Sequence, residues 1–159
     1  MKKYEFTGET KEVRVLFRTA VLHRIRATVS FGLVEVGELG GWIEKEENLS
    51  HEGKAWVWGN AEVCGDAKVC GDAEVFSASH VLVIGPIGSR NDFTTFYRDK
   101  DSEITVKCGC FLGKIDRFLE KVTRTHGDSK YAMVYRVAVE VAKLQIDLSG
   151  KAPKDADEE

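Results

Sequence analysis

Ala55-Trp-Val-Trp-Gly-Asn60, Ala61-Glu-Val-Cys-Gly-Asp66, Ala67-Lys-Val-Cys-Gly-Asp72 and Ala73-Glu-Val-Phe-Ser-Ala78 are four consecutive six-residue repeats. Valine recurs at Val57, Val63, Val69 and Val75, and the register reaches Val81. Alanine recurs at Ala55, Ala61, Ala67 and Ala73; glycine recurs at Gly59, Gly65 and Gly71, each followed by Asn60, Asp66 or Asp72. A helix cannot carry this period, because six residues advance it by about 600° and successive valines would point in different directions. An uninterrupted strand fails as well, since a Gly-Asn or Gly-Asp pair breaks it every six residues. The pattern makes sense if each hexad is one short flat side followed by a corner. Valine and the small alanine then point inward. Glycine with Asn or Asp takes the conformations that a tight corner requires. Glu62, Lys68 and Glu74 alternate outward. Three such sides close a triangular coil, so the spacing predicts a short β-solenoid that scaffolds the rest of the chain.

These hexads resemble those of the hexapeptide-repeat proteins, which place a small residue four positions after an aliphatic one. Val57 to Ala61, Val63 to Ala67 and Val69 to Ala73 match that pattern. The resemblance implies a left-handed β-helix. The preceding stretch, Leu39-Gly-Gly-Trp-Ile43 through Asn48-Leu49-Ser50, keeps an echo, with Ile43 and Leu49 in register with the alanines. The solenoid is therefore expected over 37–84. The chain as a whole looks like a group of small hexapeptide-repeat proteins of bacterial prophages. The segments that carry this likeness are Leu39-Gly-Gly-Trp-Ile-Glu44, Asn48-Leu-Ser50, Ile84-Gly-Pro-Ile-Gly-Ser-Arg-Asn-Asp-Phe-Thr-Thr-Phe-Tyr97, Cys108-Gly-Cys-Phe111 and Thr125-His-Gly-Asp128. That group brings no assigned activity with it.

Outside the hexads, Val13-Arg-Val-Leu-Phe-Arg18 and Leu22-His-Arg-Ile-Arg-Ala-Thr-Val29 alternate. Residues 1–36 read as two or three strands capping the solenoid. Residues 85–148 read as an α+β appendage. Phe93–Tyr97 and Ile104–Cys108 flank Asp99-Lys-Asp-Ser102 as a hairpin. Ile115, Phe118, Leu119 and Val122 have helical spacing, with Gly127 as the stop. A second helix is expected from Ser129 to Leu148, with Asp128 as N-cap. Its predicted buried face is Tyr131, Val134, Tyr135, Ala138, Val141, Ala142 and Gln145. Residues 149–159 read as a disordered tail.

The chain has 159 residues and a net charge of −3, with 31% charged residues. This composition gives no reason to expect a nucleic-acid polymer as partner, which calls for a basic domain or a concentrated basic face. No apolar run is long enough to span a membrane, and no apolar segment follows Lys2 and Lys3 as in a signal peptide. A cytoplasmic protein is expected, with Cys64, Cys70, Cys108 and Cys110 as free thiols. Neither cysteine pair has Cys-x-x-Cys spacing, and no metal or cofactor is expected.

The segment richest in recognition chemistry is Gly85 to Tyr97. Ser89, Arg90, Asn91, Thr94, Thr95 and Tyr97 supply a guanidinium, a carboxamide and hydroxyls beside a glycine-bearing loop. Arg90 offers a planar donor fork for phosphate or carboxylate, and Phe93, Phe96 and Tyr97 offer stacking faces. Together these suit a nucleotide-like anion. The competing reading makes the segment a turn that pins the hairpin to the solenoid, with Arg90 in a structural salt bridge and Phe93 and Phe96 in the core. Arg14, Arg18, Arg24 and Arg26 either add charge to a pocket or form a solvated face. Three functions follow. The first is a non-catalytic oligomeric binding protein for a small anionic, nucleotide-like ligand. In the prophage setting that the resemblance implies, the ligand would be a sequestered host immune signalling nucleotide. The second is an acyltransferase using coenzyme A, implied by the resemblance, with His51 or His80 as general base. The third is a purely structural or protein-binding module. A homo-oligomer, a trimer or a multiple of it, is expected because a short solenoid and apolar helix faces need a partner.

Overall fold

The computed structural model describes residues 2–149. Its strands are β1 (Tyr4–Val15), β2 (Arg18–Ala27), β3 (Leu39–Ile43), β4 (Trp56–Val57), β5 (Glu62–Val63), β6 (Glu74–Val75), β7 (Val81–Ile87), β8 (Asp92–Arg98), β9 (Ile104–Cys108) and β10 (Phe111–Lys114). Two helices follow, α1 (Ile115–His126) and α2 (Lys130–Gln145). The hexads behave locally as their spacing requires. All four valines and all four alanines of the repeat are buried, and Gly59, Gly65 and Gly71 turn the corners with φ of 56°, 65° and 65°. That left-handed conformation costs a residue with a Cβ about 1–2 kcal/mol.

The longer-range expectation of a left-handed β-helix over 37–84 is corrected by the pairing. Among the described residues no closed or solenoid sheet forms; the strands are gathered into a four-stranded sheet in the order β1-β2-β3-β5, a second in the order β10-β9-β8-β7, and a two-stranded ribbon β4-β6. Both large sheets are built mainly from antiparallel ladders, β1 on β2, β2 on β3, β7 on β8, β8 on β9 and β9 on β10. Parallel pairing is limited to Trp42–Glu62 with Ile43–Val63, to Trp56–Glu74 with Val57–Val75, and to the isolated bridge Leu49–Val69. The physical reason is length. Each hexad offers about two extended residues before its corner, and β3, the longest partner available, gives its other edge to antiparallel β2. The corners set which residues face inward, while the long antiparallel hairpins set the sheets.

Two cores result. The first joins Tyr4, Ile25, Ala27 and Val34 to the hexad valines and alanines and to Tyr97. The expected cap at 1–36 therefore shares one core with the hexads. Gly41 permits this, since a Cβ there would stand 2.5 Å from the Ala61 carbonyl oxygen. Lys3, only 3% exposed, closes one side of this core. Its ammonium donates to the Ala55 carbonyl at 2.6 Å and sits 4.8 Å from the Phe31 ring centroid. Burial pushes its pKa down to about 8, against a smaller upward pull from Cys70. The second core packs Phe96, Ile104 and Val106 against Phe118, Val122, Tyr135, Val139 and Ala142. The expected break at 84/85 falls inside β7.

The predicted hairpin Phe93–Tyr97 with Ile104–Cys108 is β8–β9. Helix α1 stops at Gly127 as expected, with the Gly127 N–H donating to the Thr123 carbonyl. The N-cap of α2 is Ser129 rather than Asp128, its hydroxyl accepting from Ala132 N–H. The buried face of α2 is Ala132, Tyr135, Ala138, Val139 and Ala142, so the predicted Tyr131, Val141 and Gln145 are exposed. The predicted tail lies, beyond Ser149, outside the described residues.

Candidate functional site

Strand β8 sends successive side chains to opposite cores, and this decides the fate of the predicted site. Thr95 and Tyr97 face the hexads. The Lys68 N–H donates to the Thr95 hydroxyl at 3.0 Å, and the Tyr97 hydroxyl lies 3.8 Å from the Cys70 sulfur. Burial pushes the Tyr97 phenol far above its ordinary range, with the Cys70 sulfur adding to the shift. Thr94 faces the helices, its hydroxyl donating to Cys108 Sγ at 3.4 Å. All three are at most 1% exposed and bonded inside the protein. Ser89, Arg90 and Asn91 are exposed in the β7–β8 turn, where Asn91 has φ 50°. This turn is fastened to α2, because Gly88 leaves room for the Tyr135 hydroxyl; a Cβ would stand 1.9 Å from it. Arg90 makes no ion pair among the described residues. The structure thus separates the six predicted residues into an exposed trio and three internal groups.

Three of the four N-terminal arginines are engaged within the protein. Arg18 forms a two-pronged pair with Glu44 at 2.6 and 2.9 Å, Arg24 donates to the Gly40 carbonyl, and Arg26 meets Glu5 at 3.6 Å.

The histidines named for acyl transfer are held by the backbone. Lys3 N–H donates to His51 Nδ1 at 3.0 Å, and Phe76 N–H donates to His80 Nδ1 at 3.2 Å. In a neutral His51 ring this places the proton on Nε2, 3.3 Å from the Glu46 carboxylate, so its acceptor lone pair is already used. The His80 ring is enclosed on both sides, with Nε2 facing the Arg98 guanidinium at 3.5 Å. His51 stacks on Tyr4 at 4.1 Å. His80 is buried, and burial with the nearby Arg98 charge lowers its pKa. All four cysteines are free thiols. Among the described residues no group of His, Cys, Asp and Glu is arranged to hold a metal ion. No helix among them is long and apolar enough to cross a membrane.

A cleft of about 520 Å³ opens where the 32–34 turn, the first and last hexads and the β8–β9 turn converge. Trp58, Lys54 and Lys100 line it together with Asp72, Glu74 and Asp101. Backbone bonds fix its walls: Lys54 N–H to the Gly71 carbonyl, Trp58 N–H to the Val75 carbonyl and Lys100 N–H to the Asp72 carbonyl. Asp72 is engaged by Lys100 at 3.6 Å and Asp101 by Lys114 at 2.8 Å. Lys54 has no carboxylate partner among the described residues. A smaller cavity of about 190 Å³ adjoins it, sharing Asp72 and Asp101 and reaching Tyr97 and Lys114. Lys114 there binds Asp99, Asp101 and Glu103. Burial works against its charge, but these three hydrogen-bonded carboxylates outweigh it and hold its pKa above the ordinary lysine value.

Sequence reasoning missed this cleft because four segments distant along the chain build it. One signal was readable. The first hexad carries indoles at positions 56 and 58, where later hexads carry Glu62, Lys68 or Glu74 and Cys64, Cys70 or Phe76. Trp56 is swallowed by the first core, edge-on to Tyr4 and Phe31. Trp58 is left at the cleft wall. The chain matches no protein-family model and no curated protein.

Proposed function

We propose that this protein is a non-catalytic binding module that takes a small anionic, nucleotide-like ligand into the cleft between Lys54, Trp58 and Lys100. The observation that carries the reading is the pairing of an indole wall with Lys54, whose ammonium lacks a carboxylate partner, in a concave space of about 520 Å³. That volume is within the ordinary range for small-ligand sites, about 300–1,000 Å³. Trp58 supplies a face for a planar base and Lys54 a charge for phosphate. Acyl transfer is less well supported, because His51 spends its acceptor nitrogen on the Lys3 N–H and the buried His80 ring is enclosed between the Phe76 N–H and the Arg98 guanidinium. The sequestering role implied by the prophage resemblance would follow if the ligand is a signalling nucleotide.

The test is native mass spectrometry of protein purified gently from bacteria, followed by calorimetric titration of whatever nucleotide is released on denaturation. Lys54→Glu, an exposed change, is expected to weaken binding at least tenfold. Trp58→Ala is expected to remove the stacking contribution, about 1–3 kcal/mol. Arg90→Ala serves as the counter-test. The seven residues of β8 hold Arg90 roughly 20 Å from the cleft, so its affinity should be unchanged. Loss of binding with Arg90→Ala and none with Lys54→Glu would return the site to the β7–β8 turn.

A further inference from the structure

Helix α2 buries one face in the second core and carries a second apolar stripe on the opposite side. Met133, Val137 and Leu144 are 60%, 62% and 89% exposed, and Val141 is 42% exposed. Val134, Val137, Val141 and Leu144 recur at intervals of three, four and three residues. That is the seam spacing of a pair of helices wound on each other rather than the broader stripe of a helix lying on a sheet. The seam borders a groove of about 430 Å³ between α2 and β7, bounded by Ile84, Val134, Val137, Ala138 and Val141.

We propose that this seam pairs α2 with α2 of a second copy, antiparallel about a twofold axis near Val139. Three observations select that occupant. An antiparallel copy sets Val134 opposite Leu144 and Val137 opposite Val141, so one short stripe fills its own complement, as a twofold contact demands. The central valines then close over the groove beside Ile84 that Val137 and Val141 themselves border. The charges agree as well. Lys130, at the start of α2, has no ion pair among the described residues, and the antiparallel arrangement brings it to the carbonyl end of the opposing helix beside the partner's Asp147. Cations are favoured at that end of a helix. A parallel pair would instead set Lys130 against its own copy.

The interface is independent of the cleft, whose lining residues lie on other elements. A threefold assembly could incorporate it only as a hexamer, three such pairs around the axis. The experiment is sedimentation velocity across a concentration series with the full chain. Wild type is expected to show a twofold assembly step at tens of micromolar. Val137→Glu, on an exposed position, should abolish that step while leaving the circular dichroism spectrum unchanged, and the melting temperature unchanged at concentrations where the wild type is monomeric. Lys130→Glu and Asp147→Lys should each weaken the pair about fivefold, and the double variant Lys130→Glu/Asp147→Lys should recover it. A wild-type chain that stays monomeric throughout overturns the proposal. So does an assembly that survives Val137→Glu, or one that dissolves instead on Phe17→Ser at the exposed tip of the β1–β2 hairpin.

Discussion

The two cores of this protein show their facing in the sequence to very different degrees. In the hexads, inward valines and alanines are separated by outward polar residues, and a glycine corner resets the phase every six positions. Facing follows from sequence there, and the burial of all eight repeat residues agrees with it. In α2 the apolar residues Ala132, Val134, Val137, Ala138, Val139, Val141 and Ala142 surround the helix. No single stripe stands out, so the buried face cannot be chosen from spacing alone. The lesson is that alternation against polar residues carries orientation, and apolar content does not.

The sharpest way to break this comparison is a pair of leucines. Leu49 is fully buried among the hexads. Leu49→Ala is expected to cost about 2–5 kcal/mol in urea unfolding. Leu144→Ala, on the open side of α2, should stay within about 0.5 kcal/mol, provided both are compared at concentrations where the chain is monomeric. Similar losses at both positions would mean that the two faces of α2 are assigned the wrong way round.

A pair of glycines comes next. Gly41→Ala drives a Cβ into the Ala61 carbonyl, a backbone atom with no easy retreat. It should cost about 3 kcal/mol, the upper end of ordinary overpacking. Gly59→Ala meets open space and bears only the strain of its positive φ. About 1–2 kcal/mol is expected there. Equal effects would argue that β3 does not lie as close to the hexads as described.

The smallest effect is the most specific. Lys3 has a folded pKa of about 8, against about 10.4 in the unfolded chain. Between those values the unfolded chain holds more protons, so this group makes stability rise with pH across the window. Below pH 8 its full penalty is present. Lys3→Met should therefore stabilise the protein at neutral pH by about 1–2 kcal/mol, less than the whole shift because the Ala55 carbonyl loses its donor. It should also flatten the rise between pH 8 and 10. A variant that is destabilised at neutral pH, with the rise retained, would remove Lys3 from its place among the carbonyls.

Much of the local structure was readable for physical reasons. The β8–β9 hairpin, the end of α1 at Gly127 and the corners at Gly59, Gly65 and Gly71 each rest on contacts between near neighbours. The β-helix was not a safe extension of the hexads, because a repeat of six specifies a corner and a facing but leaves the partner of each two-residue side open. The long β1–β2 ladder competes for that pairing and has no signature inside the repeat. The candidate site was less legible still. Ser89, Arg90 and Asn91 were recognisable as polar loop residues, yet Thr94, Thr95 and Tyr97 alternate into two separate interiors. The cleft drew Lys54, Trp58, Asp72 and Lys100 together from segments whose meeting depends on the whole fold.

Strand β8 has a further consequence for how the molecule comes apart. It is a party wall, with Tyr97 and Thr95 bonded into the hexad side and Phe96 and Thr94 packed on the helical side. Neither side can open by itself without stripping this strand of half its neighbours. The two cores should therefore melt as a single cooperative unit, and the β8 amides should exchange their hydrogens only on global unfolding.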